Sequence, residues 1–138
     1  VNVLLGVDID STAARAAVLT GLKRYNEGFL GPTHHASVAV TARDEGGMVV
    51  GGAVGAVYCD RLTIELVWVA EERRGQRLGS LVLQATEAEA RRLGATRAYL
   101  DTFGFEAATF YEKQGCREAA RISDYRDDYD RIYLTKDH

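Results

Sequence analysis

The chain has 138 residues, 46% of them hydrophobic and 27% charged, which fits one globular domain with a core of its own. That balance excludes a disordered or collagen-like chain, and no run approaches the roughly 20 apolar residues of a membrane span. Seventeen Lys and Arg against twenty Asp and Glu leave a formal charge of −3, which argues against a general nucleic-acid binder but leaves room for a local basic site.

Residues 1–7 read as a first strand. The run is short, lacks a basic flank and meets Asp8 and Asp10 at once, so it is not expected to be a secretory leader. Ser11 or Thr12 then caps a helix predicted to run to about Glu27, with Ala14, Ala17, Val18 and Leu22 on one face. Gly28, Gly31 and Pro32 mark a loop. Residues 37–43 and 48–58 form a hairpin across Asp44-Glu45-Gly46-Gly47. Gly51, Gly52 and Gly55 inside its second strand predict a bulge, or a face that something approaches closely.

Residues 62–70 are the strongest strand signal, the fourth in order. A helix follows from Arg74 or Gly75 to Gly94, with Leu78, Leu81, Val82, Ala85 and Ala88 as its apolar face. A fifth strand covers 97–101, a helix covers 105–114 and ends at Gly115, and two last strands, 116–122 and 131–135, enclose an acidic turn. Strands before and after two crossover helices predict a mixed α/β sheet in one domain, 1–138.

The chemistry concentrates behind the fourth strand. The helix start at Gly75 to Gly79 presents free backbone N–H groups and the positive end of the helix dipole. Gly75 has no Cβ to keep an anion away, and Arg73, Arg74 and Arg77 add positive charge. The residues alone fit either a phosphate or pyrophosphate site or a surface Arg cluster at a plain helix start. Neither a Gly-x-x-x-x-Gly-Lys-Ser/Thr loop nor a Gly-x-Gly-x-x-Gly fingerprint is present. Cys59 and Cys116 have no ligand spacing with His34, His35 or His138. They are expected to be free thiols in a reducing cytoplasm, and no metal site is expected.

Arg74-Gly75-Gln76-Arg77-Leu78-Gly79, behind Val67-Trp68-Val69, resembles the acetyl-CoA loop of the GNAT superfamily of N-acetyltransferases, Gln/Arg-x-x-Gly-x-Gly/Ala. Arg77 stands where that pattern has its middle Gly. A later run, Ala107-Ala-Thr-Phe-Tyr-Glu-Lys-Gln-Gly-Cys116, is similar to the family's Ala-x-x-Phe-Tyr-Glu-Lys-x-Gly-Phe. Cys116 replaces the aromatic residue, and Gly104 stands where an Asn is frequent. Leu100-Asp-Thr-Phe103 and Asp124-Tyr125 look like a bacterial subgroup of mostly unassigned substrate.

The resemblance implies a single-domain, mostly antiparallel mixed sheet of about seven strands flanked by helices, with a V-shaped splay between the fourth and fifth. It implies acetyl-CoA as co-substrate, its pantetheine arm on Val67, Trp68 and Val69 and its pyrophosphate on the run Arg74, Gly75, Gln76, Arg77, Leu78, Gly79 and Ser80. Tyr111 occupies the place of the general acid that protonates the departing thiolate; read from the residues alone it is a core tyrosine whose hydroxyl is satisfied elsewhere. Glu65, placed by strand alternation on the face of Val67 and Val69, is the base candidate acting through a water, or else a surface Glu paired with an Arg. Asp101 is the second base candidate. His34, His35 and the acidic segment from Asp124 to Asp130 border the acceptor site in this reading, and are solvated loop residues otherwise. The implied reaction is acetyl transfer to a primary amine in the cytoplasm, with a small molecule preferred as acceptor and a protein lysine or N-terminus open. Neither nucleic acid nor membrane is expected as partner, and dimers are common in the family. The other reading is a catalytically weak acyl-CoA-binding or regulatory module of the same fold.

Overall fold

The computed structural model describes residues 2–105 and 107–137. Clustering of contacts divides the chain into two compact units, Val1–Thr33 and His34–His138.

In the first unit, residues 2–10 have no regular secondary structure where the sequence predicts a strand, and Val1 lies outside the described residues. An apolar run becomes a strand only where a neighbouring edge completes its hydrogen-bond ladder, which periodicity alone does not reveal. Helix α1 spans Ser11–Leu30. Its cap is Asp10, not Ser11 or Thr12: the carboxylate accepts from the Thr12 and Ala13 amides at 3.0 and 3.1 Å. The helix runs past Glu27 to Gly31, which turns the chain at φ 74°.

The second unit comprises β1 (His35–Arg43), β2 (Val49–Tyr58), β3 (Arg61–Val69), α2 (Leu78–Arg92), β4 (Arg97–Phe103), α3 (Ala107–Lys113), β5 (Arg117–Arg126) and β6 (Tyr129–Asp137). A 3-10 turn, Glu71–Arg73, precedes α2. The six strands form one sheet in the order β1-β2-β3-β4-β6-β5. Neighbours are antiparallel except β3 and β4, which α2 joins as a parallel crossover. That parallel ladder holds from Arg61↔Arg97 only to Ile64↔Leu100. Beyond it β3 and β4 part, as the expected splay requires. The sequence numbered these strands fourth and fifth because it counted residues 1–7 as the first.

Two of the β2 glycines are there for close approach. A Cβ on Gly55 would lie 2.1 Å from the Thr63 carbonyl oxygen, and one on Gly52 would lie 2.6 Å from that of Val40. At Gly55 the register shifts: Val54 faces Leu66 while Gly55 faces Ile64, so Glu65 is the extra residue of a bulge in β3. Leu62 and Ile64 are buried, Glu65 and Leu66 are both exposed, and Val67 packs on the core. A spacing of three between core-facing residues is what one inserted residue produces. Glu65 is therefore not on the face of Val67 and Val69, as simple alternation predicts.

Helix α2 covers the sheet with Val82, Leu83, Thr86, Glu87 and Ala90. The predicted stripe is displaced: Leu81, Ala85 and Ala88 are exposed. Counting apolar residues misses the true face because it holds a carboxylate, neutralised by Lys136 of β6 at 3.1 Å, and a Thr86 hydroxyl that donates to the Val82 carbonyl at 2.7 Å. The helix also starts at Leu78, later than Arg74 or Gly75, because Arg77 takes a left-handed conformation at φ 64° that a helix cannot include. Helix α3 is correspondingly shorter than 105–114, and Glu106 is outside the described residues. No described helix is long and apolar enough to cross a membrane.

Candidate active site

Where β3 leaves β4, a cleft of about 750 Å³ opens between β3, the turn before α2, and α3. Val67, Trp68, Val69, Arg74, Gly75, Arg77, Leu78, Gly79, Ser80 and Tyr111, all expected from the sequence, line it. Gln76 does not; its amide turns back to the Glu72 carbonyl oxygen at 3.5 Å. Lys113 and Phe110 also line the cleft, and the sequence reading passed over both. For Phe110 the signal is periodicity: Ala107, Phe110 and Tyr111 sit i, i+3 and i+4 on α3, the stripe that meets the cleft; Lys113 lies off that stripe and has no such signal.

The walls are strongly cationic. Arg73, Arg74, Arg77 and Lys113 line the cleft and no carboxylate does among the described residues, in a chain of net charge −3. The first α2 amides, Leu78, Gly79 and Ser80, precede the earliest helical bond, Leu81 N–H to the Arg77 carbonyl, and so have no acceptor within the helix. Gly75 holds φ 78° with nothing within 4 Å of where a Cβ would stand, which leaves its backbone open. These donors and charges fit a diphosphate group.

The cleft is braced from behind. Gly79 leaves room for the Phe110 ring, which would stand 3.3 Å from an added Cβ. Gln114, just after α3, donates from Nε2 to the Ser80 hydroxyl at 2.9 Å. On β3 the edge that parted from β4 carries main-chain groups free of that ladder. At Val69 one is taken: the Arg74 Nε donates to its carbonyl oxygen at 3.2 Å. Main-chain groups alternate sides along a strand: those of Trp68 pair with Gly52 of β2, so Val67 and the Val69 amide, and not Trp68 as expected, are left as the main-chain partners for an extended ligand.

Arg77 pays for its place with backbone strain that the family's glycine would not have. Arg77→Gly is expected to leave thermal stability unchanged or raise it, while weakening the binding of a diphosphate-bearing nucleotide by about three- to tenfold, an effect that fades with added salt. Calorimetric titration at two ionic strengths checks it, and unchanged affinity would remove Arg77 from the anion site.

A second, smaller cavity of about 160 Å³ lies at the bulge, lined by Glu65, Leu66, Val67, Leu100, Asp101, Thr102, Tyr111 and Arg131 among others. Only Val67 and Tyr111 belong to both cavities. Tyr111 is 6% exposed, and no described residue hydrogen-bonds its hydroxyl. Burial, with a smaller contribution from the neighbouring Cys116, pushes its phenol up to about 12. Cys116 is buried too, and desolvation raises its thiol, so it remains protonated and unreactive.

Asp101 does not end its strand as expected; β4 continues to Phe103. Its carboxylate accepts from the Arg131 Nε at 2.7 Å. Neither His34 nor His35 lines either cavity: His35 packs at 5.9 Å against Tyr58, its cross-strand partner. In the acidic segment, Asp130 is bound to Arg121 at 2.7 Å and accepts from the Asp124 amide at 3.1 Å, contacts that hold the β5–β6 hairpin.

Comparison with known proteins agrees with this geometry. Residues 8–116 match the model of the Acetyltransferase (GNAT) family. An acetyltransferase of Agrobacterium fabrum is 32% identical over 108 residues, 78% of this chain and 79% of that protein. Blasticidin-S acetyltransferase of Streptomyces morookaense is 40% identical over 88 residues, 63% of this chain and 65% of that protein. The crystal structure of a candidate acetyltransferase from Agrobacterium tumefaciens superposes with a TM-score of 0.87 at 28% identity, over 100% of both chains. A mixed sheet that parts beside a cationic helix start, together with these likenesses, makes the chain a member of the GNAT acetyltransferase family.

Proposed function

We propose that this protein transfers the acetyl group of acetyl-CoA directly to a primary amine of a small molecule. The observation that carries the reading is that Tyr111 stands in the wall of both cavities; on this proposal its hydroxyl serves a thioester in the larger one and an amine in the smaller. In this reading Arg73, Arg74, Arg77, Lys113 and the first α2 amides hold the diphosphate, and the open edge of β3 at Val67 and Val69 guides the pantetheine arm beside the Trp68 side chain.

The chemistry then balances as follows. The ammonium loses a proton, through a water, to Glu65, because only the neutral nitrogen has a lone pair to attack. That pair forms the C–N bond at the thioester carbonyl carbon. The C–S bond breaks as Tyr111 gives its proton to the sulfur; the acylated nitrogen sheds its surplus proton to water, and the tyrosine recovers a proton from solvent. A phenol raised to about 12 keeps that proton throughout the physiological range. A small acceptor is favoured because the cavity beyond Tyr111 is only about 160 Å³. The blasticidin-S acetyltransferase among the relatives is named for a small molecule as well.

Release of coenzyme A thiol from acetyl-CoA in the presence of a broad panel of small amines and lysine peptides tests the reading. Amine-dependent release supports it; firm coenzyme A binding with transfer to nothing on the panel refutes it and leaves a binding module. Glu65→Gln is expected to lower kcat/KM about 10²-fold near pH 7. The deficit should shrink as pH rises and the amine becomes neutral unaided. A variant with wild-type rates at pH 7, when chemistry limits turnover, would pass the role to Asp101.

A further inference from the structure

The mechanism leaves a group of aromatic side chains beside the small cavity unused. Phe103 stacks on Phe105 with ring centroids 5.5 Å apart. Phe105 meets Tyr129 edge-on at 4.9 Å, and Phe103 meets Tyr125 edge-on at 5.7 Å. The four rings come from the end of β4, the turn after it, and the β5–β6 hairpin, so three separate pieces of chain converge to build one surface. Arg131, opposite Phe103 in the β4–β6 register, lays its guanidinium over the Phe103 ring at 4.6 Å. The same guanidinium binds Asp101 and lines the cavity with Glu65 and Tyr111. The aromatic surface therefore begins where the cavity ends.

Resting on the acetyl transfer proposed above, we infer that the acceptor carries its amine on a flat, uncharged, unsaturated ring, seated on the exposed rings of Phe105, Tyr125 and Tyr129 that Phe103 supports from behind, with the amine in the cavity at Glu65. Phe105, Tyr125 and Tyr129 are 55%, 56% and 48% exposed, a large apolar area to leave in water at the mouth of a reactive site. A planar ring stacks on such faces; a flexible alkyl chain offers no face to match them. The ring body is uncharged because Arg131 already occupies the Phe103 face and repels a second cation there. The positive end of the acceptor goes instead to the Glu65 carboxylate of the cavity.

The test compares 2-phenylethylamine with 2-cyclohexylethylamine, using the full chain, saturating acetyl-CoA and kcat/KM expressed per neutral amine. The unsaturated amine is expected to be preferred by about tenfold. Phe105→Leu should collapse that preference to within about twofold while the dissociation constant of coenzyme A stays put; Tyr125→Leu serves the same purpose if the first variant folds poorly. Equal rates for the two amines, a preference that survives both variants, or faster acetylation of a lysine peptide would overturn the ring seat and leave acetyl transfer standing. Thiol release with none of these amines, despite bound coenzyme A, would overturn both.

Discussion

Tyr111→Phe is expected to lower kcat by about 10²- to 10³-fold while the dissociation constant of coenzyme A moves by less than about threefold. The substitution removes one oxygen and keeps the ring, which packs edge-on against Phe110 at 5.1 Å and is part of the core. Loss of turnover without loss of fold or binding therefore isolates the proton. The pH dependence adds a second reading. Burial lifts the phenol from 10.0 to about 12, so the acid stays loaded where a free tyrosine begins to empty. Wild-type kcat should show no falling limb from this group between pH 8 and 10. The sign for stability follows from the same shift: the folded state holds the proton more firmly than the unfolded chain. This contribution is complete below pH 10.0 and fades as pH rises toward 12. A turnover that falls with an apparent pKa well under 10, or a Phe variant that turns over at the wild-type rate when chemistry is limiting, would take the role of acid from Tyr111.

Much of the lining of the larger cleft could be read from the chain because it is local. A turn, three arginines and a helix start within eight residues are adjacent in sequence and in space, so local rules place them. Gly52 and Gly55 were legible for a similar reason, since a glycine inside a strand signals close approach. The smaller cavity is built from distant partners. Arg131 lies 30 positions after Asp101, and only the β4–β6 register brings the two together. Attention to the aspartates of the hairpin hid the arginine next to them. The buried Glu87–Lys136 pair displaced the apolar stripe of α2 for the same reason: a carboxylate is expected outside until its counter-ion arrives from another strand. Glu65 was found by position and assigned to the wrong face, since alternation holds only while each strand residue has one partner.

Gly55→Ala is expected to destabilise the fold by about 3–5 kcal/mol, at the severe end for a single methyl group. The melting temperature should fall by roughly 10 °C or more. The added Cβ would stand 2.1 Å from the Thr63 carbonyl oxygen and 3.2 Å from the Ile64 Cα, which are backbone atoms of the central strand and have no rotamer to retreat into. Gly46→Ala is the control: it lies in the β1–β2 turn with negative φ and 3.4 Å to the nearest atom, so a change within about 0.5 kcal/mol is expected. Urea denaturation of both variants measures the difference. The catalytic consequence is separable from the structural one. The same contact sets the bulge that makes Glu65 the unpaired residue of β3. If the strand relieves the clash by slipping into regular register, Glu65 returns to the ladder and leaves the cavity it shares with Tyr111. The folded fraction of Gly55→Ala should then match Glu65→Gln, with low kcat/KM at pH 7 and partial recovery at higher pH. A destabilised variant whose folded molecules keep the wild-type pH profile would show that the bulge serves the fold alone. A variant that unfolds at the wild-type urea midpoint would show that β2 and β3 do not approach as closely as the 2.1 Å distance requires.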